Sequence, residues 1–413
     1  MQSAYRTGHS TETALLKVYS DLVDAIDRGE ISLLCLLDMS AAFDTVDHQI
    51  LLQRLTVEYG IMSHALRWFT SYLADRSQTV VMGGAQSSRQ EVNRGVPQGS
   101  VLGPVLFSLY TAGVVRIVES FNLYVHVYAD DTQLYFHTPP GQAAASVSRL
   151  LSCVDAIKDW MSSNRPRLNP DKTEFIWIAS PHLLKDIPQD ALPVGASSIS
   201  PSSSVRDLGA HLDNVLNLHS HVANISRMCF FELRQIRYIA RCLSKSNIKS
   251  LLHAFVTSRL DYCNSLLAAQ PISLTNKLQA IQNAAARLFA GVSRRSHVTS
   301  ILRDELHWLR VPERINYKLC VLVYRCLNGL APAYLAEYCL PLRNSVSRVS
   351  SNRSAARGNV IVCRTRTKTY GPRSFRVSGP SAWNCLPDHL KLPMPLSSFQ
   401  SLLKTHFFPH SFS

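Results

Sequence analysis

The segment VHVYADDTQLYF, residues 125–136, carries two adjacent carboxylates between two apolar and aromatic runs. Each run has the near-alternating pattern of a short strand, and the ADD between them predicts a tight turn. Two like charges at the tip of a hairpin repel each other unless a positive group lies nearby. The segment therefore raises two questions: which cation Asp130 and Asp131 face, and whether other acidic residues share it.

Length and composition limit the class of protein. The chain has 413 residues, 46% of them hydrophobic, which is enough for two or three domains with a sizeable core. No apolar run approaches the roughly 18 residues that span a bilayer, and the N-terminus lacks the pattern of an export signal. The ten cysteines form no CxxC pair. We therefore expect reduced, mostly buried thiols in an intracellular protein without a zinc site.

The charge is distributed unevenly along the chain. Up to residue 210 there are 16 Lys and Arg against 21 Asp and Glu, and from residue 211 onward there are 27 against 8, for a net charge of +14. A solvated basic surface is common, but so uneven a distribution favours contact with a polyanion, most often nucleic acid. We expect the second half of the chain to bind phosphates.

Hydrophobic periodicity predicts a mixed first half. Residues 10–28 have helical spacing with Gly29 just past the end, and the unbroken apolar run at residues 31–38 predicts a strand buried on both faces. The further predictions are a helical pattern over 48–73 with Trp68, Phe69, Tyr72 and Leu73 as core anchors, a strand-like 78–84 that turns at its glycine pair, an apolar helix within 94–114, the hairpin of 125–136, a helix near 143–162, a strand over 172–179, a loop over 181–204 and one last short strand over 205–213.

The second half predicts helices. Ser244 or Ser246 is placed to cap one of them, and Gly291 is placed to end the next. A third helix would begin at Pro312 and end at Gly329. The tail from about residue 341 is rich in Arg, Ser and Pro, although SGPSAWNCLPDHL has enough apolar content to pack against the rest. We interpret His219 and His221 as helix-surface residues rather than metal ligands.

Three acidic residues stand at predicted strand ends, namely Asp38, Asp130 and Asp131. If the strand that ends at Asp38 lies beside the hairpin, all three carboxylates meet at one edge of a sheet. Hard oxygen ligands suit Mg²⁺ or Mn²⁺, and two such ions stabilise the attacking and leaving oxygens of phosphoryl transfer. A lone Asp usually ends a strand or fills a turn. The neighbouring motifs therefore have to decide whether these three residues form a metal site.

These motifs resemble those of a known family. LLDMSAAFDTVDH, GVPQGSVLGPVLFSLY and YADDTQLY, in this order, resemble motifs A, B and C of a reverse transcriptase. With QSAYRTGHSTETALL before them and LNPDKTEFI after them, the sequence resembles those of the non-LTR (LINE-type, jockey-like) retrotransposon enzymes. The match covers residues 1–215 strongly and the remainder more loosely. Such ordered combinations of motifs seldom arise by chance.

The resemblance implies an α+β fold. A right-hand polymerase palm, an antiparallel sheet with helices, and partial fingers would occupy residues 1–213. A helical thumb would occupy 214–340, and 341–413 would form a basic, partly irregular tail. The implied activity is RNA-directed DNA polymerisation with two Mg²⁺ or Mn²⁺ ions. The implied partners are an RNA template, a DNA primer and deoxynucleoside triphosphates, with no membrane. The lifestyle of such elements implies residence in the nucleus.

The resemblance also implies roles for individual residues. Asp38 and Asp130 would hold both metal ions, with Asp131 as the neighbouring carboxylate. Phe43 falls where the family places an aromatic gate that leaves no room for a 2′-hydroxyl. Gln98 and Gly99 would line the nucleotide pocket, where glycine allows close approach of the backbone.

Three further positions carry weaker expectations. Lys172 in NPDKT matches the motif D lysine, a candidate proton donor to the leaving pyrophosphate; a solvated loop lysine is an equal alternative. Arg6 in SAYRTGHS would contact the triphosphate. VRDLGAHLD resembles the primer-grip region.

The chain departs from the family pattern in extent. Enzymes of this family usually carry more fingers sequence ahead of QSAYR, together with an endonuclease domain, and neither is present in the sequence. We therefore expect an N-terminally truncated copy or a fragmentary gene model, which could not carry out endonuclease-primed insertion alone. The alternative function is that of a retroelement relic that binds nucleic acid without catalysis. A metal-dependent nuclease would explain neither Phe43 nor VPQG.

Overall fold

The computed structural model describes residues 1–40, 43–187, 189–195, 197–342 and 358–412. Its helices are α1 (Thr11–Arg28), α2 (His48–Val57), α3 (Ser63–Leu73), α4 (Gly103–Ser120), α5 (Ala143–Asn164), α6 (His219–Ile239), α7 (Lys245–Leu252), α8 (Ser258–Asp261), α9 (Ile272–Ala290), α10 (Val311–Leu327), α11 (Ala333–Ala336), α12 (Phe375–Asn384) and α13 (Leu396–His410). Its strands are β1 (Ile31–Leu37), β2 (Met39–Ser40), β3 (Ser77–Gln78), β4 (Val81–Met82), β5 (Ala85–Gln86), β6 (Gln90–Glu91), β7 (Tyr124–Tyr128), β8 (Asp131–Thr138), β9 (Arg167–Leu168), β10 (Glu174–Ile178), β11 (Leu192–Val194), β12 (Ser197–Ile199), β13 (Ser204–Asp207) and β14 (Ala210–Asp213).

The chain divides into two compact units. The first contains Met1–Thr7, Ile31–Trp177 and His182–Ser203, and the second contains Gly8–Glu30, Ile178–Pro181 and Ser204–Ser413. The sheet and helices together confirm the expected α+β class. The assignment of palm, fingers and thumb, and the division at residues 213 and 340, stay predictions.

A four-stranded sheet organises the first unit, in the order β10–β1–β8–β7. The central strand β1 is buried along almost its whole length, because an unbroken apolar run can be covered on both faces. Strand β8 runs antiparallel to both β1 and β7. The strand and the hairpin predicted from the sequence are therefore both confirmed.

Helix α4 shows why the apolar stretch after motif B is helical. Its buried residues recur every three or four positions, at Leu106, Phe107, Tyr110, Val114 and Val118. That spacing puts them on one side of a helix, and α4 packs against β7 and α5.

The helical prediction for residues 48–73 is confirmed over most of the segment, but three of its four expected core anchors were wrong. The segment forms two helices, α2 and α3, separated by a turn in which Gly60 has a φ of 65°. Of the four expected core anchors only Leu73 is buried, and Trp68 is 54% exposed. The Trp68 ring stacks on Tyr72 at 5.5 Å between centroids. Helical spacing shows that residues share a face, but it does not show whether another element covers that face.

Two short segments also differ from expectation. Residues 181–204, predicted as a loop, contain the antiparallel pair β11 and β12. Residues 205–213, predicted as one strand, lie in the hairpin of β13 and β14, which turns at Gly209 with a φ of 85°. By contrast, 78–84 turns at Gly83 and Gly84 as predicted, since both have positive φ.

The second unit is mainly helical. Helix α6 packs on α9, and α10 packs on α12 and α13. The predicted boundaries are confirmed where local chemistry sets them. Ser244 caps α7 by accepting from the Asn247 N–H, Gly291 ends α9 at a φ of 68°, and Gly29 ends α1 at a φ of 81°.

His221 is buried, at 2% exposure, which corrects its expected surface position. It lies in the first turn of α6, which packs against β14, and its Nδ1 accepts a 3.3 Å hydrogen bond from the His211 N–H. Burial lowers the pKa of His221 to about 4, so the ring stays neutral at physiological pH. His219 is exposed, as predicted.

The C-terminal segment contains more helix than its composition indicates. Trp383 of α12 is buried and donates its indole N–H to the Gly358 carbonyl at 3.0 Å, so the apolar stretch around it does pack. Much of the Arg- and Ser-rich part of the predicted tail, residues 343–357, lies outside the described residues.

The state of the cysteines and the hydropathy of the helices agree with what the sequence predicts. All ten cysteines lie among the described residues, none is in a disulfide, and seven are buried. Within the described ranges, no helix combines the length and the apolar character that crossing a membrane requires.

Candidate active site

The sheet brings the predicted acidic residues to one end. Because β1 and β8 are antiparallel with Leu37 opposite Thr132, Asp38, which follows β1, lies at the end where β8 begins with Asp131. Asp130 occupies the turn just before Asp131. The edge expected from the sequence, with three carboxylates on it, is therefore present.

The electrostatics of this edge leave negative charge incompletely balanced. Burial of the carboxyl group, with repulsion from Asp130 and Asp38, raises the pKa of Asp131 to about 6, and Lys172 acts in the opposite direction. The Nζ of Lys172 lies 3.3 Å from Asp38 Oδ2. This oxygen is buried and accepts no hydrogen bond from any described residue. Lys172 is therefore the cation beside these three carboxylates, and its single charge does not balance theirs.

The donor set fits a hard divalent cation in its chemistry, since carboxylate oxygens are the ligands that Mg²⁺ prefers. The raised pKa of Asp131 agrees with that, and so does the buried Oδ2 of Asp38, which has an ion pair but no hydrogen bond. Across the described part of the chain, however, no three His, Cys, Asp or Glu residues are already grouped to hold a metal ion. Asp38 is paired with Lys172 instead.

The motif B loop is bonded to the segment that follows β1. Val96 N–H donates to the Phe43 carbonyl at 2.9 Å, and Gly95 N–H donates to the Val46 carbonyl at 2.7 Å. Gly95 has a φ of 86°, and a Cβ there would come within 3.0 Å of Asp44 Cα and 3.1 Å of the Phe43 carbonyl oxygen. Only glycine fits this position without strain.

The predicted nucleotide-binding residues are only partly brought together. The Phe43 ring stacks on Phe107 at 4.7 Å between centroids. Gln98 Nε2 donates to Asp44 Oδ1 at 3.3 Å, so Gln98 lies against the segment that carries Phe43. Gly99 has a φ of 79° with open space beside it.

A cleft of about 570 Å³ adjoins this loop, and Asp44 and Gln98 are among its lining residues. Arg76 and Arg94 also line it, and sequence reasoning missed both as candidates for contact with phosphates. The position of Arg94, just before GVPQG, was a signal that could have found it. Arg6 is not among the lining residues; it is exposed and donates to the Gln2 carbonyl at 3.1 Å.

The second unit contains a basic cleft of about 870 Å³ in the region of α6 and α9. Its lining includes Arg234, Arg237, Arg287 and Arg294, together with Phe230. Guanidinium groups beside an exposed aromatic ring are suited to phosphates and bases. The charge split in the sequence pointed to this half of the chain but not to this cleft.

The antiparallel sheet carries Asp38, Asp130 and Asp131 at one end, and the motif B loop is bonded to the segment that follows β1. Residues 1–212 match the reverse transcriptase (RNA-dependent DNA polymerase) family, and the chain belongs to that family. Its relatives are enzymes of mobile elements. It is 26% identical over 332 residues to a probable RNA-directed DNA polymerase from transposon BS of Drosophila melanogaster, which covers 76% of this chain and 35% of the relative.

A second relative is also an enzyme of a mobile element. The RNA-directed DNA polymerase from mobile element jockey of D. melanogaster is 24% identical over 76% of this chain and 34% of its own length. The resemblance to non-LTR retrotransposon enzymes is thereby confirmed, and the chain spans about a third of the length of these relatives. Among solved structures, telomerase from Candida albicans aligns with 76% of this chain and 51% of its own at 14% identity and a TM-score of 0.34, which is too low to carry an argument.

Proposed function

We propose that the protein is an RNA-directed DNA polymerase of a non-LTR retrotransposon that extends a DNA primer by two-metal nucleotidyl transfer. The observation that carries the proposal is the convergence of Asp38 and Asp131 at one end of the sheet, with the pKa of Asp131 raised to about 6. Family membership supports it.

In this proposal the carboxylates of Asp38 and Asp130 bind Mg²⁺ or Mn²⁺, and Asp131 adds negative charge to the same edge. Divalent ions bound there would stabilise the attacking and leaving oxygens of phosphoryl transfer. Lys172, now 3.3 Å from Asp38, neutralises that carboxylate in the free protein. When that pairing is released, it would give its proton to the leaving pyrophosphate.

Phe43 would select deoxynucleotides. Its ring stacks on Phe107. Moving the ring aside would therefore cost the free energy of that stacking contact. A ring fixed beneath the incoming sugar would clash with a 2′-hydroxyl. Gln98 and Gly99 would line the nucleotide site, and Arg76 and Arg94 would contact the triphosphate from the adjoining cleft.

The two units would divide the work of polymerisation. The sheet of the first unit would be the palm, and its short hairpins β3 to β6 would be the partial fingers. The helices of the second unit would be the thumb, whose arginine cleft contacts the phosphates of the template–primer duplex. Residence in the nucleus would follow from the lifestyle of such elements.

The test is primer extension on an RNA template with deoxynucleoside triphosphates and Mg²⁺. We expect incorporation by the unchanged chain and a loss of about a hundredfold or more in Asp130→Asn, because catalysis depends on charge stabilisation at that edge. Asp155→Asn is the matched control, since Asp155 is an exposed residue of α5, and it should extend the primer normally.

Two outcomes would contradict the proposal. Equal incorporation by Asp130→Asn and the unchanged chain would show that the carboxylate edge is not the catalytic centre. Salt-dependent binding of RNA without any incorporation would instead identify a relic that only binds nucleic acid.

A further inference from the structure

We infer that Gln2 is a positioning residue for the catalytic turn: its side-chain amide holds both backbone polar groups of Ala129, the residue immediately before Asp130. This inference rests on the proposed polymerase function, because it concerns how Asp130 is aimed. Nothing in the sequence pattern indicated it, since Gln2 and Ala129 lie 127 residues apart.

The N-terminal residues extend the sheet beside β7. Ser3 N–H donates to the Val127 carbonyl at 2.9 Å, and Val127 N–H donates to the Met1 carbonyl at 2.8 Å. The two segments run parallel, with Gln2 paired to Val127. The Ser3 hydroxyl is also within 2.8 Å of His126 Nε2 in a buried contact. The backbone of Gln2 is therefore anchored independently of its side chain.

The side chain of Gln2 then reaches the turn. Ala129 N–H donates to Gln2 Oε1 at 3.1 Å, and Gln2 Nε2 donates to the Ala129 carbonyl at 3.4 Å. The same Oε1 accepts from the Ala4 N–H at 2.9 Å, which fixes the orientation of the amide. A carboxamide is the side chain that can bond to a backbone N–H and a backbone C=O at once.

Ala129 needs such support because of its conformation. Its φ is 59°, in the left-handed region that residues with a Cβ rarely adopt, and it is buried. Backbone strain of this kind persists where neighbouring groups hold it. A rotation at Ala129 would swing the Asp130 carboxylate, so the two hydrogen bonds from Gln2 set where that carboxylate points.

The experiment compares Gln2→Ala with Ser3→Ala in the full 413-residue chain. Both remove side-chain hydrogen bonds from the same N-terminal segment, but of the two residues only Gln2 contacts the turn. We expect kcat for primer extension to fall about tenfold in Gln2→Ala, the factor for one to two lost hydrogen bonds. KM for the deoxynucleotide should change less than about twofold, because the nucleotide contacts are untouched. Ser3→Ala should lower the melting temperature and keep kcat within about twofold.

Hydrogen exchange gives a readout that does not need activity. In Gln2→Ala the amides of residues 128–131 should exchange faster, while those of β1 stay protected. An unchanged kcat together with unchanged exchange would overturn the inference, and so would an equal loss of kcat in Ser3→Ala. If neither the unchanged chain nor either variant extends a primer, the proposed function fails. Hydrogen exchange of residues 128–131 then decides by itself whether Gln2 holds the turn.

Discussion

Asp131 shows the clearest electrostatic effect in the candidate site. Its pKa is raised from 3.8 to about 6 by burial of the carboxyl group, by Asp130 and by Asp38. Between roughly pH 4 and 6 the folded chain therefore binds more protons at this residue than the unfolded chain does. Stability must fall as the pH rises through that window. An ionised Asp131 lowers the free energy of unfolding. Proteins tolerate such a loss of stability where the charge is needed for function.

We expect Asp131→Asn to be more stable than the unchanged chain at pH 8. The gain should be about 1 kcal/mol or less, because Asp131 as a whole is exposed although its carboxyl group is partly buried, and solvent screens the charge. The gain should largely disappear by about pH 4, where the carboxyl is protonated in the folded state and about half protonated in the unfolded state. Urea denaturation at the two pH values measures it. Asp155→Asn should show no such dependence; a gain that persists undiminished at pH 4 would contradict the assigned cause.

At the scale of elements, the contact between the motif B loop and the segment after β1 matters most. Two backbone hydrogen bonds join them, and Gly95 sits where a Cβ would meet backbone atoms of Phe43 and Asp44. Backbone atoms cannot move aside as a flexible side chain can. The loop that carries Gln98 and the segment that carries Phe43 are therefore held together by hydrogen bonds that the absence of a side chain at Gly95 permits.

Gly84 provides a matched comparison for Gly95. Both have a φ of 86°, but nothing lies within 4 Å of a Cβ at Gly84. Alanine at either position should cost about 1–2 kcal/mol for the left-handed backbone. Gly95→Ala should cost about 1–3 kcal/mol more for the forced backbone shift, and it should also reduce primer extension. Equal free energies of unfolding for the two variants, measured in urea, would show that the close approach is not maintained.

At the scale of the whole molecule, the charge asymmetry is the dominant feature. The first 210 residues carry a net charge of −5, from 16 Lys and Arg against 21 Asp and Glu, and the rest carries a net charge of +19, from 27 against 8. The structure gathers four arginines of the second unit around one cleft. Phosphate binding by such a cleft releases counterions, so affinity should fall steeply with salt.

We expect Arg234→Ala to weaken binding of an RNA–DNA duplex and to lower the slope of log K against log salt by about 1, as one lost phosphate contact requires. Arg303→Ala is the control, because Arg303 is exposed in the same unit and is paired with Asp304 at 2.7 Å. Fluorescence anisotropy across a salt series measures both. Identical slopes for the two variants would place the phosphate contacts elsewhere.

By itself the sequence determined features that depend on neighbours along the chain. The buried strand β1, the hairpin that carries Asp130 and Asp131, and the helix ends at Gly29 and Gly291 follow from periodicity and turn chemistry. The motif order also determined the family. These features depend on residues close together in the chain, so the amino-acid sequence is enough to predict them.

Only the tertiary structure decided which faces are covered and which distant groups meet. It left Trp68 exposed, buried His221 and placed Lys172 beside Asp38. It also brought Gln2 to Ala129 across 127 positions. Burial and hydrogen bonding between elements depend on how those elements pack, and no spacing within one element contains that information. For that reason the convergence of the carboxylates could be expected from the sequence, whereas the contact of Gln2 with the residue before Asp130 could not.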